Sequence, residues 1–340
     1  MLYIEKHVQQ GLTLAHFEGR AVFVRGALPG ERVRAHVVKE SRDHIFAIVT
    51  AVVEASPDRV AQDCSIYPEC GGCSFRHTDY AYELKQKLTL LREWKHIAPL
   101  CDEAVLYAAR PNQYRSRARL QVRGGLPGFY AYRQNAFLTL PVAGCRQLPW
   151  DPQQVRSLAR ERKDGELRLR LEGNEVVIDD SGHFSQANYL LSSSWLATIK
   201  SQSGEAGSAV ELFCGSGLIG RSVLLPATML TGYDVSQAAI REARRLSSWT
   251  YMVHDLYNRP IDLEADLILA NPPRAGLKRK LTTAINGSRA KKIVYSSCNP
   301  ATLNRDLGEL RNWRPVSLFV FDFFPRTHHL ELLVCLERKS

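Results

Sequence analysis

The sequence predicts an α/β protein in three parts, with a Rossmann-like parallel sheet in its C-terminal part. Short strand and helix patterns alternate from about residue 190, which is typical of a parallel sheet covered by helices. Several β-rich segments with turn signals crowd residues 1–58, which favours a small closed β-barrel. Residues 59–190 mix strand and helix patterns around a group of cysteines, so we expect a central α+β domain there.

The balance of charges favours a polyanionic partner. The chain carries 45 Lys and Arg against 35 Asp and Glu, a net charge of +10, which favours nucleic acid, with an ordinary basic soluble protein as the alternative. No apolar run approaches the roughly 18 residues of a membrane span, and the first residues lack a signal-peptide pattern. We therefore expect a cytoplasmic protein that contacts no membrane, monomeric and without an obligate protein partner.

The cysteines indicate metal binding or catalysis. Eight of them occur in a chain that we expect to be intracellular, where disulfide scaffolds are rare. Cys64, Cys70 and Cys73 lie close together in the sequence, and Cys145 is a distant fourth candidate. Four thiolates suit either an iron–sulfur cluster or a structural zinc ion, and their spacing alone does not distinguish the two.

The N-terminal part reads as four strands with a turn at Leu28-Pro-Gly-Glu31. Small barrels of this size commonly bind oligonucleotides, and a structural cap on the next domain is the alternative. The predicted strands are Thr13–Phe17, Arg20–Arg25, Arg32–Lys39 and His44–Val53.

The central part begins with a predicted helix over Tyr80–His96, whose apolar stripe we assign to the core. Arg115–Tyr132 reads as a β-hairpin or meander, Asp151–Arg162 as a helix, and Glu166–Asp179 as two strands. The hairpin is rich in arginine and is a second candidate RNA-facing surface, with a solvated strand face as the alternative. The arginines are Arg115, Arg117, Arg119, Arg123 and Arg133.

The C-terminal part alternates strands with helices, and two further strands end it. The strands are predicted at Ala209–Phe213, Met229–Tyr233, Tyr251–Val253, Leu267–Ala270, Lys292–Tyr295, Val316–Phe321 and Leu330–Leu336. The helices are predicted at Leu218–Leu224, Ser236–Arg245 and Pro300–Leu310.

A cofactor site is predicted where the first of these strands ends. Phe213, Gly215 and Gly217 form a glycine turn, in which the backbone can approach a ligand and the helix can start close to the sheet. Asp234 ends the next strand and is placed to bind ribose hydroxyls, and Asp255 follows the third strand, within reach of an adenine edge.

The turn by itself fits either a dinucleotide or S-adenosylmethionine. The acidic Glu211 in the first strand and the run Asn271-Pro-Pro273 after the fourth strand favour S-adenosylmethionine. Cys298, in Ser-Ser-Cys-Asn-Pro at the end of the fifth strand, is a candidate nucleophile on the same sheet, because a cysteine thiolate is intrinsically very nucleophilic.

Six short runs, taken in order, make the chain similar to a known family. With them the chain resembles the iron–sulfur-containing RNA uracil-C5 methyltransferases over nearly its whole length. The runs are Cys64-x5-Cys70-x2-Cys73 with Cys145, Phe184-Ser-Gln186-Ala-Asn188, Glu211–Gly217, Asn271-Pro-Pro-Arg274-Ala-Gly276, Ser296-Ser-Cys298-Asn-Pro300 and Phe324-Pro-Arg-Thr327-His-His329-Leu-Glu331.

The resemblance implies a domain plan and two cofactors. Residues 1–58 would be a TRAM-like, RNA-binding barrel, residues 59–190 a central iron–sulfur domain, and residues 191–340 a Rossmann-like S-adenosylmethionine methyltransferase domain. The four cysteines at 64, 70, 73 and 145 would hold a 4Fe–4S cluster with a structural role.

The implied reaction is methyl transfer to uracil C5 through a covalent adduct. Uracil C5 is a poor nucleophile, and addition of the Cys298 thiolate to C6 turns it into an enolate carbon that can take a methyl group. Removal of the C5 proton then needs a general base. The resemblance assigns that role to Glu331, with His329 supporting it.

The remaining assignments concern the target base. Gln186 and Asn271 belong to the cofactor pocket and are also placed to read the uracil edge, while Phe184 packs on the base. Arg274 and Arg115 are assigned to substrate binding. Asn271 stands where the family usually has Asp, but its amide oxygen can still accept a hydrogen bond from uracil N3–H. A base must leave its stack to react, which fits single-stranded loops.

Four alternatives stay open at this stage. A cytosine-C5 enzyme typically carries a second cysteine in the run at 271–274, and an amino-group methyltransferase usually has an aromatic residue where this chain has Arg274. A third alternative is a catalytically altered RNA-binding iron–sulfur protein, favoured only by Asn271. For the substrate we favour 23S ribosomal RNA, with uridine 54 of transfer RNA as the fourth alternative.

Overall fold

The computed structural model of the protein describes residues 1–179 and 188–339. Six strands form the N-terminal sheet, in the order β1-β5-β6-β4-β3-β2. The N-terminal segment pairs with β5 through β1 and with β3 through β2, so it joins the two edges and closes the sheet into a small barrel. The strands are β1 (Leu2–Tyr3), β2 (Lys6–Val8), β3 (Leu12–Phe17), β4 (Arg20–Arg25), β5 (Arg32–Glu40) and β6 (His44–Glu54).

Two backbone hydrogen bonds complete the closure of the barrel. Ile4 N donates to Glu31 O at 3.0 Å, and Glu5 N donates to Leu14 O at 2.8 Å. The four longer strands agree with the prediction, whereas β1 and β2 are too short to give a periodic pattern and were not predicted. Apolar side chains that alternate inward, such as Val22, Val24 and Val33, fill the interior.

The central part contains an antiparallel sheet of five strands in the order β10-β9-β8-β11-β12, with α2 packed against it. Asp151 caps α2 by accepting a hydrogen bond from Gln153 N. The elements are α1 (Tyr80–Leu91), β7 (Val105–Tyr107), β8 (Arg117–Arg123), β9 (Leu126–Tyr130), β10 (Phe137–Thr139), α2 (Pro152–Arg160), β11 (Gly165–Glu172) and β12 (Glu175–Ile178).

The prediction for α1 was wrong in its length and incomplete in its buried face. The helix was expected to reach His96 but ends at Leu91, because Arg92 N and Trp94 N turn back onto Thr89 O and Leu91 O. The predicted apolar stripe packs on the core through Leu91 and Trp94, but the helix also buries Glu83 and Lys87. Charged partners from the segment between β18 and β19 compensate for this burial.

The C-terminal sheet has eight strands in the order β15-β14-β13-β16-β17-β19-β18-β7. Strands β13 to β17 run parallel, and β19 lies antiparallel between β17 and β18. The elements are α3 (Ser192–Ser203), β13 (Ser208–Leu212), α4 (Leu218–Val223), β14 (Met229–Asp234), α5 (Gln237–Leu246), β15 (Thr250–Val253), β16 (Leu267–Ala270), α6 (Lys278–Gly287), β17 (Lys292–Ser297), α7 (Pro300–Glu309), β18 (Trp313–Phe321) and β19 (Glu331–Arg338).

This topology fixes where a ligand can bind. The chain leaves β13 towards β14 and β15 on one side, then returns to the other side of β13 for β16 and β17. Strand order therefore reverses between β13 and β16, and open α/β sheets bind ligands at the carboxyl ends of the strands beside such a reversal. The alternating α/β prediction is confirmed, although α3 and α6 were not predicted.

One strand of the large sheet comes from far away in the sequence. Val105–Tyr107 pairs in parallel with β18 at the sheet edge, and Asp322 N donates to Tyr107 O directly after this pairing. The segment predicted to be wholly central therefore contributes a strand to the C-terminal sheet. Within the described residues, no helix combines the length and the apolar character that crossing a membrane requires.

Candidate active site

A cavity of about 900 Å³ opens at the carboxyl ends of β13, β14, β16 and β17. It brings together side chains that the sequence analysis assigned to the cofactor and to catalysis. The predicted residues that line it are Phe213, Gly215, Asp234, Asp255, Asn271, Arg274, Cys298, His329 and Glu331. Phe184 and Gln186, also predicted for this site, lie outside the described residues.

The glycine turn and Asp234 form one wall of the cavity. Gly215 N donates to Asp234 Oδ2 at 2.9 Å, and Ser236 N donates to Asp234 Oδ1 at 2.8 Å. Phe213 and Gly215 both have positive φ, +59° and +54°. The carboxylate is thereby fixed at the tip of β14 with lone pairs left for a ligand.

Gly217 shapes the turn from behind and is not among the residues that line the cavity. It has φ +73°, and a Cβ atom there would lie 2.5 Å from Tyr251 Oη. Glu211 is buried beneath the same turn, where its Oε2 accepts from Gly220 N at 3.1 Å. Burial raises the pKa of Glu211 to about 8. Both residues support the turn from the side away from the cavity lining.

The residues after β15 suit a nucleoside. Asp255 Oδ1 accepts from Tyr257 N and Asn258 N, and its Oδ2 accepts from Asn258 Nδ2 at 2.7 Å. These hydrogen bonds, led by that from the Asn258 side chain, lower the pKa of Asp255. His254 lines the same wall, and its Nε2 is buried with no hydrogen-bond partner among the described residues. A bound ligand with polar edges would satisfy that atom.

The opposite wall carries the predicted nucleophile. Cys298 lies in the turn between β17 and α7, and Asn299 caps α7 by accepting from Ala301 N. Arg274 O accepts from Asn299 Nδ2 at 3.0 Å and from Thr302 Oγ1 at 3.2 Å. These bonds hold the Asn-Pro-Pro-Arg loop against the Cys298 turn, so Arg274 and Cys298 face one cavity.

The charges around Cys298 oppose one another. Burial raises the pKa of the Cys298 thiol, the neighbouring Glu331 raises it further, and Arg274 lowers it. Arg274 also contacts His329, with 3.2 Å between Nη2 and Nε2. Since an arginine only donates, His329 Nε2 accepts and its proton is on Nδ1. Burial and Arg274 lower the pKa of His329 to about 4, so this ring is neutral at pH 7.

Glu331 begins β19 and is only 4% exposed, although a lone Glu entering a terminal strand would ordinarily be solvated. Its Oε1 accepts from Ser296 Oγ at 2.5 Å, and Ser296 Oγ in turn lies 3.1 Å from Trp195 Nε1. Burial raises the pKa of Glu331 to about 7, against the opposing effect of the Ser296 hydrogen bond. A carboxyl group with that pKa can take and give a proton near neutral pH.

Sequence reasoning did not predict Ser296 and Trp195 as site residues. Ser296 lies within the Ser-Ser-Cys-Asn-Pro run, two residues before Cys298, so its position in that run was an available signal. Trp195 is in α3, 101 residues away from Ser296 in the sequence. A tryptophan in a helix gives no sign of its distant partner.

The four cysteines of the central part line a second cavity of about 50 Å³, here termed the cysteine cavity (Cys64, Cys70, Cys73 and Cys145). Cys73 Sγ accepts from Arg76 Nε and from Gln147 Nε2, both at 3.2 Å. In the described part of the chain, no group of three or more His, Cys, Asp or Glu side chains is placed to hold a metal ion.

Arg115 lies at the cysteine cavity instead of lining the large one. Its Nη1 is 3.5 Å from Gln147 Oε1, and its Nε is buried without a hydrogen-bond partner among the described residues. Gln147 Nε2 also donates to Pro325 O, and Tyr114 Oη donates to the same oxygen. The cysteine cavity is thus joined to the loop that leads to Glu331.

Comparisons with known proteins agree with this geometry. Residues 237–339 match the family described as tRNA (uracil-5-)-methyltransferase. An uncharacterized RNA methyltransferase of Leptospira interrogans is 32% identical over 98% of this chain and 93% of its own length. The 23S rRNA (uracil-1939-C5)-methyltransferase of Hahella chejuensis is 26% identical over 98% of this chain and 96% of its own length.

A solved structure shares the fold over almost the entire chain. It is the Pyrococcus abyssi tRNA (uracil-54, C5)-methyltransferase in complex with S-adenosyl-L-homocysteine, which is 20% identical. The TM-score is 0.78, and the match covers 99% of each chain. The likeness therefore includes the N-terminal and central parts as well as the large sheet.

Proposed function

The chain belongs to the RNA (uracil-C5)-methyltransferase family, and from this premise we propose that it methylates uridine C5 through a covalent Cys298 adduct, with Glu331 as general base. The main support for this proposal is that Cys298 and Glu331 line the same cavity as the residues predicted to bind S-adenosylmethionine. Its volume of about 900 Å³ is at the upper end of ligand pockets, which leaves room for a cofactor and a flipped base.

The cofactor side of the cavity fits S-adenosylmethionine. Asp234 offers free lone pairs for ribose hydroxyls, Asp255 offers an ionised carboxylate, and His254 Nε2 is a buried polar atom that lacks a partner. When bound, the cofactor supplies an electrophilic methyl group. We propose that Phe213, Gly215, Asn271 and Gln186, the last outside the described residues, complete this side, with Gly217 acting through the turn.

The reaction begins with bond formation between Cys298 Sγ and uracil C6. The C5=C6 electron pair moves towards O4, and the enolate so formed makes C5 nucleophilic. The positive charge of Arg274 favours the Cys298 thiolate and faces the cavity where charge develops on the base. Asn271 lines the cavity beside it and accepts a hydrogen bond from uracil N3–H. Phe184 is proposed to pack on the base.

Elimination completes the reaction after C5 has taken the methyl group. Glu331 removes the C5 proton, the C–H electrons restore the C5=C6 bond, and the C6–Sγ bond breaks to release the Cys298 thiolate. The raised pKa of Glu331, about 7, suits a base that must be ionised at neutral pH and still hold a proton once it has taken one. His329, neutral and held by Arg274, completes the wall.

We propose 23S ribosomal RNA as the substrate. The support comes from two relatives named 23S rRNA (uracil-1939-C5)-methyltransferases, at 26% and 27% identity, each aligned over at least 95% of its length. Uridine 54 of transfer RNA is the second candidate, since the solved structure that shares the whole fold acts on that position. A loop uridine in either RNA meets the need for an unstacked base.

The RNA-facing surface is proposed to include the TRAM-like barrel and the arginine-rich hairpin. Phe23 and Phe46 stack on the barrel with ring centroids 5.4 Å apart, and the Arg133 guanidinium lies 3.7 Å from the Phe46 ring centroid. The Arg119 side chain on β8 is 65% exposed. Partly exposed aromatic rings beside arginines are suited to base stacking and phosphate contact.

We further propose that the cysteine cavity holds a 4Fe–4S cluster with a structural role. The four thiols line one cavity, and the resemblance of the chain to iron–sulfur enzymes favours a cluster over a single zinc ion, which four thiolates would also suit. A four-iron cluster is bulkier and takes one thiolate for each iron. Held by Cys64, Cys70, Cys73 and Cys145, it would tie the two separated segments together next to the loop that leads to Glu331.

Anaerobic purification of the wild-type chain and a Cys145→Ser variant tests the cluster. We expect about four iron and four sulfide per wild-type chain, with both reduced in Cys145→Ser and unchanged in Cys101→Ser. Cys101 is a matched control because it lies outside the cysteine cavity. One zinc ion per chain without sulfide would show that the cysteine cavity binds zinc and not a cluster. A folded chain that contains no metal would contradict both assignments.

A trapping experiment tests the methylation proposal. The protein is incubated with S-adenosylmethionine and 5-fluorouridine-substituted RNA, either 23S ribosomal fragments or transfer RNA. Fluorine at C5 prevents elimination, so we expect a covalent protein–RNA complex on a denaturing gel. Cys298→Ala should abolish it, while Cys335→Ala, a buried cysteine on β19 outside the cavity, should leave it intact.

The RNA that is trapped identifies the substrate class. Glu331→Gln should form the adduct with unmodified uridine RNA and release product slowly, because addition and methyl transfer precede the step that needs the base. A chain that binds S-adenosylmethionine but traps neither RNA would contradict the Cys298 mechanism. An adduct that persists in Cys298→Ala would assign the nucleophile to another residue.

A further inference from the structure

Three side chains from three separate elements form a buried hydrogen-bonded row at the wall of the cavity, which Trp195 and Glu331 line. Trp195 comes from α3, Ser296 from β17 and Glu331 from β19. Trp195 and Ser296 are each 1% exposed, and Glu331 is 4% exposed. The row runs from Trp195 Nε1 to Ser296 Oγ at 3.1 Å and from Ser296 Oγ to Glu331 Oε1 at 2.5 Å.

The donors and acceptors in this row can be assigned from their chemistry. The indole N–H of Trp195 only donates, so Ser296 Oγ accepts that hydrogen bond. A hydroxyl group has a single proton, and the only acceptor bonded to Ser296 Oγ in the described residues is Glu331 Oε1. The Ser296 proton therefore points to Oε1, so this oxygen accepts a hydrogen bond from within the protein.

The second carboxylate oxygen is left for the reaction. No hydrogen bond reaches Glu331 Oε2 from the described residues, and this atom is not among the buried polar atoms that lack a partner. Because Glu331 lines the cavity, Oε2 is the oxygen that can face a bound base. A carboxylate fixed through one oxygen presents the other in a defined direction.

We propose that Ser296, oriented by Trp195, is a positioning residue that fixes the Glu331 carboxylate so that Oε2 takes the C5 proton. This inference rests on the proposed function, and it deepens that function by assigning a role to two side chains that touch no reacting atom. During elimination the C5–H bond breaks, an Oε2–H bond forms, and the electron pair restores C5=C6 while Cys298 leaves. The Ser296 bond to Oε1 persists throughout.

The row also opposes the effect of burial on the carboxylate. Burial disfavours the ionised form of Glu331, and the Ser296 hydrogen bond favours it. Among the described residues, the other charged or titratable groups around this part of the cavity are Cys298 on the β17–α7 turn, Arg274 on the loop after β16, and His329 on the loop before β19. Trp195, the member of the row that α3 contributes, is uncharged.

The test separates elimination from adduct formation. Single-turnover assays on RNA with tritium at uracil C5 measure proton release across a pH series, and 5-fluorouridine RNA measures trapping. Ser296→Ala should slow tritium release at pH 7 roughly tenfold or more, accumulate the adduct with ordinary uridine RNA, and shift the pH profile upwards. Trapping should keep the wild-type rate, because addition to C6 does not use Glu331 as base.

Three further variants complete the design. Trp195→Phe removes the indole donor and should give a smaller change in the same direction, whereas Ser296→Thr keeps a hydroxyl and should restore most of the rate. Ser203→Ala is the matched control, since Ser203 is a buried serine of α3 that donates to Ile199 O. If Ser296→Ala does not fold, tritium release and trapping are compared between the wild type, Trp195→Phe and Ser296→Thr.

Two outcomes would overturn the inference. A Ser296→Ala enzyme with the wild-type release rate and pH profile would exclude positioning by Ser296. An equal loss of trapping and release, with no shift in the pH profile, would mean general damage to the site. If the wild-type enzyme forms no adduct, the proposed function itself fails, which the trapping assay detects before any Ser296 variant is compared.

Discussion

At the scale of single residues, the site places a nucleophile, a base and a cation around one cavity. Glu331 makes Cys298 harder to ionise, while Arg274 makes it easier. The thiolate therefore depends on a cation that is itself exposed and can be removed without opening the core. Arg274 is the residue at which the reactivity of Cys298 can be adjusted separately from the fold.

Replacing Arg274 with glutamine should raise the pKa of Cys298. The thiolate fraction at pH 7 then falls about tenfold for each unit of increase, so alkylation of Cys298 by iodoacetamide should slow and should recover at higher pH. Mass spectrometry of the Cys298 peptide measures the rate. Arg279→Gln removes an exposed arginine of α6 and should change nothing. An unchanged pH profile in Arg274→Gln would contradict this account.

At the scale of elements, the turn from β13 into α4 determines the cofactor side. Cys214 N donates to Tyr233 O at 3.0 Å, and Gly217 N donates to Cys214 O at 2.8 Å. The turn is thus bound to the end of β14 and folded back on itself. Gly217 makes this possible, because it combines a left-handed backbone with close contact to the Tyr251 ring.

A Gly217→Ala substitution should weaken cofactor binding. The added methyl group meets Tyr251 in a backbone conformation that disfavours side chains, which costs about 1–2 kcal/mol for the conformation alone. We expect the dissociation constant for S-adenosylhomocysteine, measured by calorimetry, to rise roughly tenfold or more.

Gly287→Ala at the end of α6 is the control for that measurement. A Cβ atom at Gly287 meets nothing within 4 Å, and its φ is not positive. This variant should bind the cofactor as the wild type does. Equal affinity in the two variants would show that the turn tolerates a side chain.

At the scale of the whole molecule, a buried ion network joins the central part to the loop before β19. Lys87 Nζ lies 2.7 Å from Glu83 Oε1 and 2.9 Å from Asp322 Oδ1. Tyr80 Oη donates to Asp322 Oδ2, and Arg326 N donates to Glu83 Oε1. The loop that leads to His329 and Glu331 is therefore held by α1.

The charges of this network depend on each other. Burial lowers the pKa of Lys87, but Asp322 and Glu83 outweigh that effect and raise it, so Nζ stays protonated. Removal of one member would leave its partners charged in an environment that excludes water, which is the costly case for a buried ion pair.

Lys87→Met should therefore destabilise the fold by about 3–5 kcal/mol. The free energy of unfolding in urea measures this, with the cysteine-bound metal content matched between samples. Lys85→Met changes an exposed lysine of the same helix and should stay within about 0.5 kcal/mol of the wild type. A Lys87→Met chain as stable as the control would mean that the network contributes nothing to stability.

Loss of the network should also reach the active site. Because α1 fixes the loop before β19, Lys87→Met should slow tritium release from uracil C5 while S-adenosylhomocysteine binding is retained. The cofactor turn is fixed to the end of β14 through Asp234, whereas the ion pairs of Lys87 are with Glu83 on α1 and with Asp322 after β18.

Local sequence signals predicted most elements of the large sheet. The strand of Leu267–Ala270 matches its prediction at both ends, and α7 differs by one residue. Hydrophobic periodicity and turn residues act within short segments, so they can be read along the chain. They failed for β1, β2, β7 and β10, each of two or three residues, since strands so short show no periodic pattern and form through their pairing with longer strands.

The α/β alternation, the glycine turn with Asp234 and the nucleophile run around Cys298 could all be read from the amino-acid sequence, because each is a property of residues close together in the chain. The three-dimensional fold was needed to show that Glu331 is buried, that Ser296 links it to Trp195, and that Arg115 lies at the cysteine cavity. Burial and hydrogen-bond pairing depend on which remote segments pack together. No local sequence pattern predicts that Trp195 and Ser296, which are 101 residues apart, form a hydrogen bond.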